Sequence, residues 1–250
     1  FGGGSSAYEW SKVFPAFAQT NRVIAPDLIG WGNSNHPARG YRLEDYLITT
    51  IEFLQKVSQT PVTLVASSLT GAIAVRLAIQ KPELVRSLFL VCPSGFADFG
   101  QDAGRRLPLE IINLPLLDRL IYTIGATNEI AVRNFLEQFL FSERDLVTSE
   151  IVEAYLASAQ KPNAEYSALS FLRGDLYFDL SLYLPQLNVP TAIVWGENAQ
   201  FTDFKLGARL AALNPQAIKK YQVIPDVGVL PHLEQPAIVT GLLSGWLAWT

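Results

Sequence analysis

Ser68 is the residue whose neighbours best equip it for chemistry. The stretch Ala66-Ser67-Ser68-Leu69-Thr70-Gly71 joins a short apolar run, Thr63 to Ala66, to a segment from Gly71 to Ile79 that is apolar on every side except Arg76. The first suits a strand buried on both faces and the second a buried helix. A serine at such a strand-turn-helix junction could attack an acyl carbon, provided that a base takes its proton and an acid orients the base. The same serine pair is also ordinary capping chemistry for any helix that follows a parallel strand.

Partners for that serine are scarce, because the chain has two histidines, His36 and His232, and one cysteine, Cys92. His36 lies in a polar, proline-containing loop and reads as an exposed surface residue. His232, in Pro231-His232-Leu233-Glu234-Gln235-Pro236, reads as a hydrogen-bonded structural element at the start of the last helix, or else as an unconventional base. Among the acids, Asp203 reads as the N-cap or first-turn carboxylate of a helix, Glu197 as a polar loop residue and Asp98 as a loop residue after a strand. Each is also a candidate acid. Cys92 ends a buried strand with no basic neighbour in sequence, and reads as a small core residue rather than a nucleophile.

The elements that must position these groups alternate. An aromatic-rich pattern, Trp10, Phe14 and Phe17, precedes a strand expected over Arg22–Asp27, and apolar residues from Leu43 to Val57 recur at helical spacing. The Ser68 junction follows, then a strand over Ser87–Cys92. From Phe96 to Tyr183 the strand rhythm stops and helical patterns take over, at Leu107–Leu120, Ile130–Phe141 and Ile151–Ala159. Strands resume at Thr191–Gly196 and Lys219–Ile224, with helices over Phe204–Leu213 and Ala237–Trp249. The reading is an α/β fold with a mostly parallel sheet flanked by helices, its core in residues 1–95 and 184–250 and a helical cap inserted at 96–183.

Several of these stretches resemble the α/β-hydrolase fold superfamily. The Ser68 junction is similar to its nucleophile elbow, Gly-x-Ser-x-Gly, with Ala66 and Thr70 in the glycine places and Gly71 one position late. Asp27-Leu28-Ile29-Gly30-Trp31-Gly32-Asn33-Ser34 is similar to the family's turn after an early strand, where Asp27 orders the loop. Trp195-Gly196-Glu197 and Asp226-Val227-Gly228 with Pro231 to Pro236 match its second half. The resemblance implies that the backbone N–H groups of Leu69 and Phe1 form an oxyanion hole and that the first three strands lie before Phe1. It also implies a catalytic acid at position 199 and a histidine at position 229, where this chain has Ala199 and Val229. Both triad partners of Ser68 are therefore expected to be lost.

Composition narrows the remaining classes. Net charge is −4 and no cluster of Lys or Arg stands out, so a nucleic-acid footprint is absent. Hydrophobic residues make up 49% of 250, ample for a core, yet no apolar run is long enough to span a membrane. A single cysteine fits a reducing compartment, the cytoplasm or an organelle stroma reached by a removed targeting segment. No metal or cofactor is expected. The reading is a pseudoenzyme that binds a small apolar molecule or a protein partner. The rival is an active esterase-like serine hydrolase acting on a small apolar ester, with Ser68 as nucleophile, His232 as base and Asp203 as acid.

Overall fold

The computed structural model describes residues 5–101, 103 and 117–250. Among the described residues, four strands form one parallel sheet in sequence order: β1 (Val62–Ser67), β2 (Val85–Val91), β3 (Thr191–Gly196) and β4 (Ile218–Ile224). Their composition explains their place. β2 and β3 are buried almost throughout, as expected for apolar strands with neighbours on both sides.

The short helix α1 (Phe14–Phe17) and α2 (Leu43–Val57) precede β1, and α3 (Ser68–Gln80) leaves it and packs on β1 and β2. Between β2 and β3 the described residues contain helices and turns and no strand: α4 (Leu117–Ala126), α5 (Glu129–Phe135), α6 (Ser149–Ala159) and α7 (Ala164–Arg173). Helix α8 (Phe204–Ala212) packs on β3 and β4, and the short α9 (Pro231–Glu234) leads into α10 (Pro236–Trp249). The expected helix at 107–120 lies largely outside the described residues.

The expected strand at Arg22–Asp27 does not form. That segment is exposed and carries no strand pairing, with Val23 at 37% and Ile24 at 44% exposure. Its β-branched residues favour a strand, but such a preference acts only through a neighbour that takes the backbone hydrogen bonds and covers one face. Among the described residues there is no such neighbour. The outer edge of β1 is likewise unpaired, and its residues Val62 to Ala66 are only half-buried.

Because the strands run parallel and in register, their carboxyl ends share one edge. Ser67 is level with Val91, Val91 with Val194, and Val194 with Gln222. The segments carrying Ser68, Ala199 and Val229 therefore all leave the sheet on the same side.

Candidate functional site

At the elbow, Ser67 is extended and Ser68, the first residue of α3, lies in the left-handed region at φ 49°. A non-glycine residue there is strained, and the reversal it makes is what lifts a side chain clear of the strand end. Ser68 is half-buried and its hydroxyl has no hydrogen bond among the described residues, whereas Leu69 is fully buried. Thr70, in one of the glycine places of the motif, donates its hydroxyl to the Ser67 carbonyl at 2.5 Å. Gly71 keeps the helix close: a Cβ there would lie 3.1 Å from Pro93 Cβ. Phe1, the other expected oxyanion donor, lies outside the described residues.

The loops after β3 and β4 are interlocked. Glu197 N donates to the Ile224 carbonyl at 3.0 Å and Asn198 N to Val227 at 2.9 Å. A Cβ on Gly196 would fall 1.9 Å from the Gly228 carbonyl oxygen, so only glycine fits where the loops touch. Ala199 and Val229 both follow these contacts and both are buried, at 8% and 7% exposure. Val229 N donates to the Leu140 carbonyl at 2.9 Å, which ties this loop to the helical insertion.

None of the candidate acids stands behind an imidazole. Asp203 is exposed and caps α8, accepting from Leu206 N at 2.7 Å. Glu197 is exposed and accepts a long 3.4 Å bond from Asp226 N. Asp98 is buried and accepts from the Ser94 hydroxyl at 2.6 Å, from Gly95 N and from Leu180 N. Burial pushes its carboxyl up, against those hydrogen bonds. Asp27 orders its turn, accepting from Ala7 N and Asn33 N, each at 2.7 Å.

The histidines correct two expectations. His36 is half-buried rather than exposed, with Nε2 3.1 Å from the Gly32 carbonyl. His232 is completely buried, but it is not hydrogen-bonded: neither ring nitrogen has a hydrogen-bond partner among the described residues. Its ring stacks on Trp10 at 4.2 Å and 13°, and Nε2 lies 3.9 Å from Glu9 Oε2. The cause is the 3₁₀ turn Ala7–Trp10, which lays an indole and a carboxylate against α9.

Sequence reasoning missed that cluster and a second buried carboxylate. Glu9 accepts the Tyr155 hydroxyl from α6 at 2.6 Å. Burial raises the energy of its charged form, but the nearby His232 ring and the Tyr155 hydroxyl contribute to a net downward direction for its carboxyl. Glu234 accepts from Gly228 N at 2.7 Å, Ser142 N at 2.8 Å and Glu143 N at 3.3 Å, and so joins the β4 loop to the insertion. A glutamate between Tyr8 and Trp10 in an aromatic run was the one local signal for the first cluster. Tyr155 gave none. Cys92 is the expected core thiol, buried and pushed up to about 12 by that burial, with Gly196 N donating to Sγ at 3.4 Å.

A packed aromatic cluster lies between the β2 loop and the helices that follow it. Phe96 meets Phe171 edge-on at 5.1 Å and Phe201 at 6.1 Å, and Phe201 meets Phe139 at 6.0 Å. A cavity of about 340 Å³ opens beside the loop after β3, lined by Gln101, Gln200, Phe201, Asp203 and Arg209 among others. Among the described residues no group of three or more His, Cys, Asp or Glu side chains could hold a metal ion. No helix of the described residues is long and apolar enough to cross a membrane.

A parallel sheet with a serine elbow at one strand end, two interlocked loops leaving the same sheet edge and helices between β2 and β3 define an α/β-hydrolase architecture. The chain belongs to the alpha/beta hydrolase family, whose sequence model matches residues 2–241. It is 26% identical over 252 residues to the uncharacterized hydrolase YugF of Bacillus subtilis, covering 97% of this chain and 86% of that protein. It is 25% identical over 257 residues to a 2-hydroxy-6-oxo-6-phenylhexa-2,4-dienoate hydrolase of Burkholderia cepacia, covering 99% and 85%. Among solved structures, a meta-cleavage product hydrolase from Pseudomonas fluorescens is similar in fold, with TM-score 0.75 at 20% identity over 99% of this chain and 87% of that one.

Proposed function

We propose that the protein is a non-hydrolytic member of its family, binding a small apolar molecule beneath a helical cap formed by residues 96–183. The observation that carries this reading is the pair Val229 and Ala199. Both stand in the two interlocked loops, at the positions that the family resemblance gives to the base and the acid, and both side chains are apolar and buried. A serine hydroxyl is a poor nucleophile near neutral pH without a base, and loss of a triad member removes several powers of ten of rate. The rival base, His232, is committed to Trp10 and Glu9. Asp203, the rival acid, is occupied as a helix cap.

The aromatic cluster around Phe96 and Phe201 supports an apolar ligand, as does the phenyl group of the substrate for which the Burkholderia relative is named. The buried free Cys92 suits a reducing compartment, either cytoplasm or stroma.

Treatment with a fluorophosphonate probe tests the reading directly. The expected result is no label at Ser68 and ester turnover no more than about 10³-fold above the uncatalysed rate. Rapid labelling of Ser68, with ordinary turnover that Ser68→Ala abolishes, would overturn it in favour of an active hydrolase.

A further inference from the structure

Glu9 sits where three separate parts of the molecule meet. It is 6% exposed. One carboxylate oxygen accepts the hydroxyl of Tyr155, itself buried in α6, at 2.6 Å, and the other faces His232 Nε2 of α9 at 3.9 Å. The next residue, Trp10, stacks on the same imidazole. The strip from Ser5 to Trp10 has further ties on both sides. Tyr8 Oη donates to Glu150 of α6 at 2.9 Å, Ala7 N donates to Asp27, and Ser158 of α6 accepts from Gly32 N at 2.9 Å beside Ser5.

An isolated buried carboxylate is strongly disfavoured, and one neutral hydrogen bond does not replace its water. Glu9 therefore needs Tyr155 and His232 together. Withdrawing α6 removes its hydrogen bond, and moving α9 removes the imidazole that faces its other oxygen. The loop that ends at α9 carries Val229 and is itself bonded to the insertion through Leu140 and Glu234.

We propose that Glu9, Tyr155 and His232 form a single lock joining the insertion helix α6, the Ser5–Trp10 strip and α9, so that α6 cannot lift from the core without displacing the Val229 loop. The lock opens in acid. The titratable groups facing it from the packed elements are Glu9 and Tyr8 on the strip, Tyr155 and Glu150 on α6, and His232 with Glu234 on α9, while the adjoining α10 carries no charged residue. Of these, Glu9 is the carboxylate whose charged form Tyr155 and His232 favour, so its contribution is present above the ordinary carboxylate range and is lost as pH falls through its depressed value. The lock does not depend on what the protein binds, and its failure would leave the ligand reading untouched.

Amide hydrogen exchange over 149–159 and 229–235 decides it. Tyr155→Phe keeps the ring and removes only the hydroxyl, so the fold survives. The expected result at pH 7 is a rise in exchange of roughly 10-fold in both segments, since a hydrogen bond to a charged group is lost from a shared opening. A rise confined to 149–159 would overturn the proposal. In the unmodified protein, both segments should loosen together as pH falls below the ordinary carboxylate range, after correction for intrinsic exchange, and Glu9→Gln should remove that step. Persistence of the step in Glu9→Gln would also overturn it.

Discussion

Two neighbouring corners of the sheet's carboxyl edge are built in opposite ways. At the elbow the backbone is strained and the side chain is polar and half-open: Ser68 sits at φ 49° with a hydroxyl that is unbonded among the described residues. Across the sheet, the loops after β3 and β4 also hold a left-handed non-glycine residue, Asp226 at φ 59°, but are tightly meshed, backbone against backbone, and present two small apolar side chains. The difference teaches that the fold holds these positions through main-chain contacts that do not depend on what the side chains are. Ala199 and Val229 take no part in those contacts except through their own N–H groups, to Gly196 and Leu140. Chemistry at such positions can be lost while the architecture stays, and by the same argument it can be restored.

Restoration is the largest effect expected. Val229→His combined with Ala199→Asp places an imidazole and a carboxylate on loops whose backbone is already fixed. Ester turnover by this double variant should exceed that of the unmodified protein by about 10²-fold or more, because a triad contributes several powers of ten and an unrefined one recovers part of that. Adding Ser68→Ala must return the rate to its starting level. If the double variant gains nothing while remaining folded, then positions 199 and 229 are not the partners of Ser68.

A smaller, structural effect separates the two corners by how much their backbones give. Gly196→Ala drives a Cβ to 1.9 Å from the Gly228 carbonyl oxygen, a backbone atom that cannot rotate away. Gly71→Ala brings one to 3.1 Å from the Pro93 ring, which needs a shift of a few tenths of an ångström. Urea unfolding should show a loss of more than about 3 kcal/mol for the first and about 1 kcal/mol for the second. Equal losses would mean that the meshed loops are no stiffer than the elbow.

How far the sequence revealed this arrangement follows from the range of the interactions involved. The strands β1 and β3 and the helix α10 were readable because apolar runs of the right length sit between local breakers. Ser68, Ala199 and Val229 could be placed because Trp195-Gly196 and Pro231 to Pro236 fix the register on either side. The segment Arg22–Asp27 misled because strand preference is local, whereas a strand exists only beside another one. The Glu9 cluster was invisible for the same reason turned round. Its members are separated by 146 residues between Glu9 and Tyr155, and no periodicity in either segment announces the contact. His232 was legible as structural but not as unbonded, since stacking on Trp10 depends on how the amino-terminal strip is laid down.

Ser68→Gly gives the smallest effect and bears on the elbow alone. An L-residue in the left-handed region costs about 1–2 kcal/mol that glycine avoids. Against this, glycine adds roughly 0.5–1 kcal/mol of freedom to the unfolded chain. The Ser68 hydroxyl makes no hydrogen bond among the described residues whose loss would enter the balance. The net should be a gain of about 0.5 kcal/mol, or a rise in Tm of roughly 1–2 °C for a chain of this length. Cys92, at a similar φ of 45°, offers no such gain, because its buried thiol would leave a void. A fall in Tm for Ser68→Gly would show that the hydroxyl is held by a contact in solution, and the elbow would then be a made site rather than a strained turn left without its partners.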